Sequence, residues 1–220
     1  MQSFKTLVRR LLPFAAALFT AAALVGVASA QELVEGKQYV RVKNPLPVEA
    51  GKKIEVVEFF SYGCPHCADL EPVMQGWMKT LPPDVVVVRV PVMFQEKWIT
   101  LAKIYYTLDA LGVEQKLSPE VFVAIHKNRA DLTSDKAFFD WAAGKGLDRK
   151  KVEDMYNSFA ISGKMNRAKA EAQQYSVQSV PMIIVDGRFA TATDKVGSHD
   201  ALPPAINALI AKARAERPKS

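Results

Sequence analysis

The chain has 220 residues, 49% of them hydrophobic, with 29 Lys and Arg against 23 Asp and Glu and a formal net charge of +6. No run of basic residues and no alternation of basic with aromatic residues indicates a nucleic-acid surface, so we expect no nucleic-acid partner. Two cysteines are too few for a scaffold held by several disulfides or for a zinc site with four cysteine ligands.

Residues 1–30 have the three parts of a secretory signal peptide. Three basic residues within the first ten precede an apolar stretch at 11–27, and Ala28-Ser29-Ala30 is a small-x-small cleavage site. The apolar stretch is just long enough for a membrane anchor, but the cleavage site and the polar Gln31 favour removal. Removal leaves 26 basic against 23 acidic residues, a net charge of +3. We therefore predict an exported protein of the periplasm, where disulfides persist.

The mature sequence begins with two strand patterns. Residues 39–42 alternate and predict a short edge strand, and residues 54–60 form an apolar run that predicts a buried central strand. The exception in that run is Glu58. An acid on a buried strand should be partly desolvated, with a raised pKa, and could exchange protons with a nearby thiol. Alternatively, Glu58 faces solvent at a strand edge or pairs with Lys53.

Both cysteines lie in the tetrapeptide Cys64-Pro65-His66-Cys67, directly after this strand. Two intervening residues in the first turn of a helix bring the sulfurs within bonding range. Cys64 then lies at the helix N-terminus, where unpaired N–H groups and the helix dipole favour a thiolate, and Pro65 suits the first helical position. His66 can donate a hydrogen bond or a positive charge to that thiolate, or it is a solvated imidazole.

The residues alone leave three interpretations of the C-x-x-C: a redox site, half of a zinc site, and an inert structural disulfide. The zinc interpretation lacks ligands, because there is no second C-x-x-C and His126 and His199 lack metal-ligand spacing. We expect those two histidines on the surface or at helix caps. The strand-to-helix position of the pair favours the redox site, and we predict no metal and no cofactor.

The remaining elements follow in chain order. The site helix should run from residue 64 to about residue 80, with Pro72 inside it, and residues 85–90 should form a strand parallel to the first. Residues 97–175 are mostly helical in pattern, and Ser118, Ser134 and Asp148 are candidate N-caps. The candidate helices are 97–111, 119–128, 135–143, 149–159 and 162–175.

A hairpin and a helix close the chain. Residues 179–185 return to strand character, and Asp186-Gly187 predicts a hairpin turn with residues 188–191 as the antiparallel partner. Residues 200–214 predict the last helix, with two prolines tolerated in its first turn.

With these elements assigned, the sequence resembles the DsbA family of periplasmic thiol:disulfide oxidoreductases. The resemblance covers the mature chain and rests on the strand at 56–60, the Cys-Pro-His-Cys tetrapeptide, the helical insertion and Val180-Pro181 before the last hairpin. It implies an α/β, thioredoxin-like fold built from residues 31–96 and 176–220. An all-helical subdomain, residues 97–175, is then inserted into that fold.

The resemblance also implies roles for the last site residues. In thioredoxin-like proteins the proline at the position of Pro181 is cis and faces the disulfide, which leaves the Val180 backbone free to pair with an extended substrate peptide. The alternative is an ordinary trans proline that opens a strand. The expected catalytic residues are then Cys64, Cys67, His66, Pro65 and Glu58.

The function that the resemblance implies is oxidation of newly exported, unfolded proteins, with reoxidation by a quinone-linked membrane partner of the DsbB type. A stabilised Cys64 thiolate favours the dithiol form, which makes the disulfide an oxidant. Competing functions are a disulfide isomerase or reductase and a thiol-dependent chaperone or metal-binding module. Isomerases of this type usually carry a separate dimerisation domain. Only about two dozen residues separate the signal from the central strand, which is too few for such a domain. We therefore expect a monomer.

Overall fold

The computed structural model describes residues 33–217, so the predicted signal peptide lies outside the described residues. In this range five strands form one mixed sheet: β1 (Val40–Arg41), β2 (Ile54–Phe60), β3 (Val85–Pro91), β4 (Met182–Val185) and β5 (Phe189–Ala192). Their order across the sheet is β1-β5-β4-β2-β3. β2 pairs in parallel with β3 and antiparallel with β4, which confirms the predicted parallel pair.

Among the described residues one α-helix lies between β2 and β3, five lie between β3 and β4, and two follow β5. They are α1 (Pro65–Met78), α2 (Glu96–Ala110), α3 (Glu114–Phe122), α4 (Asp135–Gly144), α5 (Arg149–Tyr156), α6 (Phe159–Gln174), α7 (Thr193–Val196) and α8 (Leu202–Glu216). A π-helix, Val123–Lys127, continues α3 directly. Helices α2 to α6 occupy the segment predicted as an inserted subdomain, and the division of the chain into two units stays a prediction.

Two of the predicted caps are confirmed. The Ser134 hydroxyl accepts a hydrogen bond from the Ala137 N–H at the start of α4, and the Asp148 carboxylate accepts one from the Lys151 N–H at the start of α5. Each satisfies an N–H group that has no partner inside its helix. The short polar residue before each helical pattern was therefore a reliable signal at these two positions.

Two predicted helix starts are wrong, and the helix predicted over residues 149–159 ends at Tyr156. The expected start at Ser118 lies inside α3, which begins at Glu114, because the Ser118 side chain is buried and makes tertiary hydrogen bonds instead of a cap. The expected start at residue 162 lies inside α6, where the Ser158 hydroxyl caps the Ile161 N–H. In both cases the helix begins earlier than the most visible sequence signal.

The sheet is covered on both faces, which explains the continuous apolar run of β2. Val57 and Phe59 pack against the layer that contains α2 to α6, whereas Ile54 and Val56 pack against α1 and α8. All seven residues of β2 are buried. The predicted α/β class is confirmed, and among residues 33–217 no helix has the length and apolarity needed to cross a membrane.

The closing hairpin is also confirmed. Asp186 and Gly187 have φ values of 55° and 65° and are the central residues of a β-turn that the Arg188 N–H closes onto the Val185 carbonyl, with Arg188 as the third residue of the loop. β4 and β5 are antiparallel, with Val185 opposite Phe189. The hairpin holds the start of β4, and with it the Val180–Pro181 bond, beside β2.

Candidate active site

The cysteine pair lies where β2 passes into α1. Cys64 is the N-cap residue of α1, with an extended backbone (φ −92°, ψ 119°), and Pro65 is at the first helical position. The Cys67 side chain is one turn further into the helix. Both residues are buried as free thiols, with 6% and 1% of their surface exposed. Since no side chain caps α1, the N–H groups of its first turn are free to interact with the Cys64 sulfur.

The two sulfurs have opposite electrostatic environments. A hydrogen bond from the Cys67 thiol, supported by the backbone N–H groups of Cys67 and His66, lowers the pKa of Cys64 to about 6. Burial raises the pKa of Cys67 well above its ordinary value, and the hydrogen bond and charge of Cys64 add to this effect. One sulfur is therefore stable as a thiolate near neutral pH, and the other is a thiol.

Pro65 and His66 are the exposed residues of the tetrapeptide. His66 contributes to the lowered pKa of Cys64 through its backbone N–H and through the charge of its imidazole, and the charge is the smaller of these two contributions. The Cys67 thiol therefore stabilises the Cys64 thiolate most, the backbone N–H groups at the helix start come next, and the imidazole charge adds to them.

The Val180–Pro181 peptide bond is cis, and the residue before the proline contacts Cys64. The Cys64 thiol donates a hydrogen bond of 3.4 Å to the Val180 carbonyl oxygen. Met182, the first residue of β4, is opposite Phe59 of β2, so the pairing of these strands brings the loop before β4 to the end of β2 that carries Cys64. The Val180 carbonyl is thus placed beside the Cys64 sulfur.

A tight turn connects β2 to Cys64. The Cys64 N–H donates to the Ser61 carbonyl at 3.0 Å, which closes a β-turn with Tyr62 and Gly63 as its central residues. A side chain at Gly63 would collide with the Trp98 indole. Glycine at this position therefore allows α2 to pack closely against the turn.

Glu58 lies in a buried cluster of charged groups between β2, β3, α1 and α3. The Arg89 guanidinium is at its centre, 2.9 Å from Glu58, 2.6 Å from Glu71 and 3.1 Å from Glu114. It also donates a hydrogen bond of 3.1 Å to the Ser118 hydroxyl. The expected alternatives for Glu58, a solvent-facing acid or a partner of Lys53, are wrong, because Glu58 is 1% exposed and pairs with Arg89.

The cluster holds more negative than positive charge when all its groups are ionised. Three carboxylates surround one guanidinium, and burial raises the pKa of both Glu58 and Glu114. Such groups titrate as a coupled set, so a proton taken up by the cluster belongs to the set and not to one carboxyl group. The charge of Glu58 also makes a small contribution to the raised pKa of Cys67.

Sequence reasoning missed most of this cluster. It identified Glu58 as an oddity in an apolar run, but Arg89 is a similar oddity in the valine-rich run of β3 and was not paired with it. In the parallel register these two residues are directly opposite each other. A charge at the same place in each of two adjacent apolar strands was the available signal, whereas Glu71 and Glu114 lie in helices and have none.

His126 was also misplaced. Instead of lying on the surface or at a cap, it is half-buried in the π-helix, with Nε2 2.7 Å from the Tyr62 carbonyl oxygen. His199 precedes α8, and its carbonyl accepts a hydrogen bond from the Leu202 N–H. Among residues 33–217 no group of three or more His, Cys, Asp or Glu side chains could hold a metal ion.

Comparison with known proteins gives concordant matches. A family model described as a DSBA-like thioredoxin domain matches residues 55–201. Over 204 residues the chain is 40% identical to the thiol:disulfide interchange protein DsbA of Pseudomonas aeruginosa, covering 92% of this chain and 97% of that protein. Over 184 residues it is 40% identical to the protein of the same name from Bordetella parapertussis, covering 82% and 88%.

Solved structures agree with these matches. The crystal structure of Pseudomonas aeruginosa DsbA has a TM-score of 0.80 with this chain at 40% identity, covering 83% of this chain and 95% of that one. The oxidoreductase NmDsbA1 from N. meningitidis has a TM-score of 0.75 at 28% identity, covering 84% and 95%. The predicted thioredoxin-like fold is confirmed.

Proposed function

The chain belongs to the DsbA family and is a thiol:disulfide oxidoreductase, and from this premise we propose that it transfers the Cys64–Cys67 disulfide to newly exported, unfolded proteins in the periplasm. The observation that carries the proposal is the contrast between the two sulfurs. The pKa of Cys64 is lowered to about 6, whereas that of Cys67 is raised. A stable Cys64 thiolate favours the reduced protein, and a protein that favours its reduced form is an oxidant.

The reaction is two successive thiol–disulfide exchanges. A substrate thiolate attacks the Cys64 sulfur, the Cys64–Cys67 bond breaks, and a mixed disulfide forms between Cys64 and the substrate. A second substrate thiolate then attacks the substrate sulfur of that bond and expels Cys64 as a thiolate. The substrate loses two electrons and gains a disulfide, and the protein gains two electrons. Cys64 is a good leaving group because its thiolate is stabilised.

The first exchange leaves Cys67 as a buried thiolate that needs a proton. Because burial raises the pKa of Cys67, this thiolate takes up a proton readily. Glu58, whose own pKa is raised by burial, is the proposed donor, and the carboxylates around Arg89 stabilise the proton that it exchanges. In the reverse direction, during reoxidation, Glu58 accepts the proton of Cys67.

Val180 and Pro181 are the proposed substrate-binding residues. The Val180 carbonyl lies against the Cys64 sulfur, so a peptide that pairs with the Val180 backbone brings its own cysteine to Cys64. Pro65 and His66 are exposed beside the same sulfur. We assign Pro65 to the helix start that stabilises the Cys64 thiolate, and His66 to its electrostatic support.

Three further properties belong to the proposal. Residues 1–30 direct export and are removed, residues 97–175 form a helical subdomain inserted between the two parts of the thioredoxin-like domain, and the protein works as a monomer. A quinone-linked membrane oxidoreductase of the DsbB type restores the disulfide. That partner supplies the oxidant that repeated turnover requires.

The test is disulfide transfer to a reduced, unfolded substrate with several cysteines. The oxidised protein should yield oxidised substrate in a stoichiometric amount, while its own disulfide is converted to a dithiol. Cys64→Ser, which removes the attacked sulfur, should yield none, whereas Ser162→Ala, an exposed change in α6, should leave the transfer unaltered. Absence of transfer by the unaltered protein would reject the proposal.

The equilibrium with glutathione separates an oxidant from a reductant. An oxidant keeps its dithiol form even when much of the glutathione is oxidised, because the Cys64 thiolate is stable. A protein that retained its disulfide under reducing glutathione conditions would be a reductant, and the direction of transfer proposed above would be wrong.

A further inference from the structure

The turn that leads into Cys64 has a central peptide that two side chains hold. This peptide consists of the Tyr62 carbonyl and the Gly63 N–H. The Gly63 N–H donates a hydrogen bond of 3.1 Å to the Ser61 hydroxyl. On the other side, His126 Nε2 lies 2.7 Å from the Tyr62 carbonyl oxygen. Because a carbonyl can only accept, His126 carries its proton on Nε2 and is the donor.

The central peptide of a β-turn is the part that can rotate. Type I and type II turns differ in its orientation, and type II requires a positive φ at the third residue, which glycine adopts without strain. The third residue here is Gly63, and its φ is not positive. The glycine is therefore compatible with both orientations, and the hydrogen bonds to Ser61 and His126 select the one that the structure shows.

The position of His126 depends on the π-helix. In this segment the Asn128 N–H bonds to the Val123 carbonyl, five residues earlier, instead of the four residues of an α-helix. The His126 ring packs near the Phe122 ring, at 6.2 Å between centroids, and Phe122 contacts the Tyr62 ring in an edge-to-face arrangement at 5.0 Å. One helical segment thus presents both an apolar surface and a hydrogen-bond donor to Tyr62.

The same helical segment holds the other end of Tyr62. The phenolic hydroxyl is 2.8 Å from the Ser118 hydroxyl of α3. Tyr62 is therefore fixed at its side chain and at its carbonyl, two residues before Cys64. We propose that His126 is a positioning residue for thiol–disulfide exchange, which fixes the central peptide of the Ser61–Cys64 turn and thereby the orientation of the Cys64 sulfur at the start of α1.

The consequence concerns the sulfur directly. Cys64 has the extended N-cap conformation, and its sulfur interacts with the N–H groups of His66 and Cys67. If the peptide before it rotates, the backbone of Cys64 is less restricted and these interactions are made for less of the time. The thiolate then loses stabilisation relative to the disulfide. This inference rests on the proposed function, because it concerns the same pair of sulfurs.

The experiment compares His126→Leu, which lacks a donor, with His126→Gln, whose amide can donate from a similar position. In His126→Leu, the equilibrium with glutathione should move about three- to tenfold toward the disulfide, and the pH at which the Cys64 thiolate forms should rise. Thiolate formation is followed by ultraviolet absorbance in the reduced protein. His126→Gln should restore both values to within about twofold. His199→Leu, which also removes a half-buried imidazole, is the matched control and should change neither.

A purely structural role predicts a different result, in which His126→Leu is less stable but has an unchanged equilibrium and thiol titration. That result, or a His126→Gln variant that behaves like His126→Leu, would overturn the inference. If His126→Leu does not fold, nitrogen NMR of the unaltered protein tests the inference instead. The neutral His126 imidazole must then be the Nε2–H tautomer, and the Nδ1–H tautomer would refute the inference. Failure of the proposed function is seen separately, as absence of disulfide transfer by the unaltered protein.

Discussion

Replacement of Arg89 by Met removes the cation from the buried cluster of three carboxylates. The Arg89 side chain is 5% exposed and contacts Glu58, Glu71 and Glu114. Without it, the folded protein must keep these carboxyl groups neutral, since unpaired buried charges are more costly than protonation. Protonation of a carboxyl group with an ordinary pKa of 4.5 costs about 3.4 kcal/mol at pH 7, at about 1.4 kcal/mol per pH unit.

The expected loss of stability follows from the number of extra protons. Burial already raises the pKa of Glu58 and Glu114, and loss of the guanidinium raises both further, so the Arg89→Met variant should bind one or two more protons than the unaltered cluster. The free energy of unfolding should therefore fall by about 3–7 kcal/mol at pH 7 and by only about 1–2 kcal/mol at pH 5. The sign follows from linkage: the pKa values are higher in the folded state, so stability decreases as the pH rises above 4.5.

Urea unfolding of the reduced protein at pH 7 and at pH 5 measures this difference. Arg149→Met is the matched control, because Arg149 pairs with Asp140 and Glu153 on the surface and its loss should leave the free energy of unfolding nearly unchanged. If Arg89→Met were as stable as the unaltered protein at pH 7, or lost the same free energy of unfolding at both pH values, the assigned role of Arg89 in keeping these carboxyl groups ionised would be wrong.

Three other predictions concern the site itself. His66→Leu should raise the pKa of Cys64 and shift the glutathione equilibrium toward the disulfide by less than about tenfold, because the imidazole charge is one of the smaller contributions. Gly63→Ala should lower the free energy of unfolding by about 1–3 kcal/mol through collision with Trp98, whereas Gly163→Ala, in an open helical position, should raise it by about 0.5–1 kcal/mol in the same denaturant assay. As the pH rises from 6 to 9, the reduced protein should become more stable relative to the Cys64→Ser variant in unfolding experiments, because the pKa of Cys64 is about 6 in the folded protein and 9.0 ordinarily. A difference in the free energy of unfolding that did not change with pH would contradict the lowered pKa.

Features that depend on neighbouring residues in the chain were predictable. The caps at Ser134 and Asp148, the Asp186-Gly187 turn and the helix start at Cys64 each follow from a short sequence pattern with a local physical cause. The apolar run of β2 was predictable for a similar reason, since both faces of that strand are covered.

Features that depend on distant segments were not predictable from one sequence. Ser118 before Pro119 has the pattern of a helix start, yet the hydroxyl is used for contacts with Tyr62 and Arg89, and α3 begins four residues earlier. His126 has no partner near it in sequence, and its contact is with the carbonyl of Tyr62. In each case a tertiary hydrogen bond decided the role of a residue whose local pattern suggested another one.

The two proposals give the helical segment between β3 and β4 a part in the chemistry of both sulfurs. Glu114 and Ser118 of α3 belong to the cluster that contains Glu58, the proposed proton donor to Cys67, and His126 of the π-helix bonds to the turn before Cys64. A disulfide exchanger needs one sulfur that leaves as a thiolate and another that recovers a proton. Since α3 and the π-helix are continuous, a shift of this one element would disturb both requirements together. The two proposals thus make the helical segment a part of the redox site, in addition to its packing against one face of the sheet.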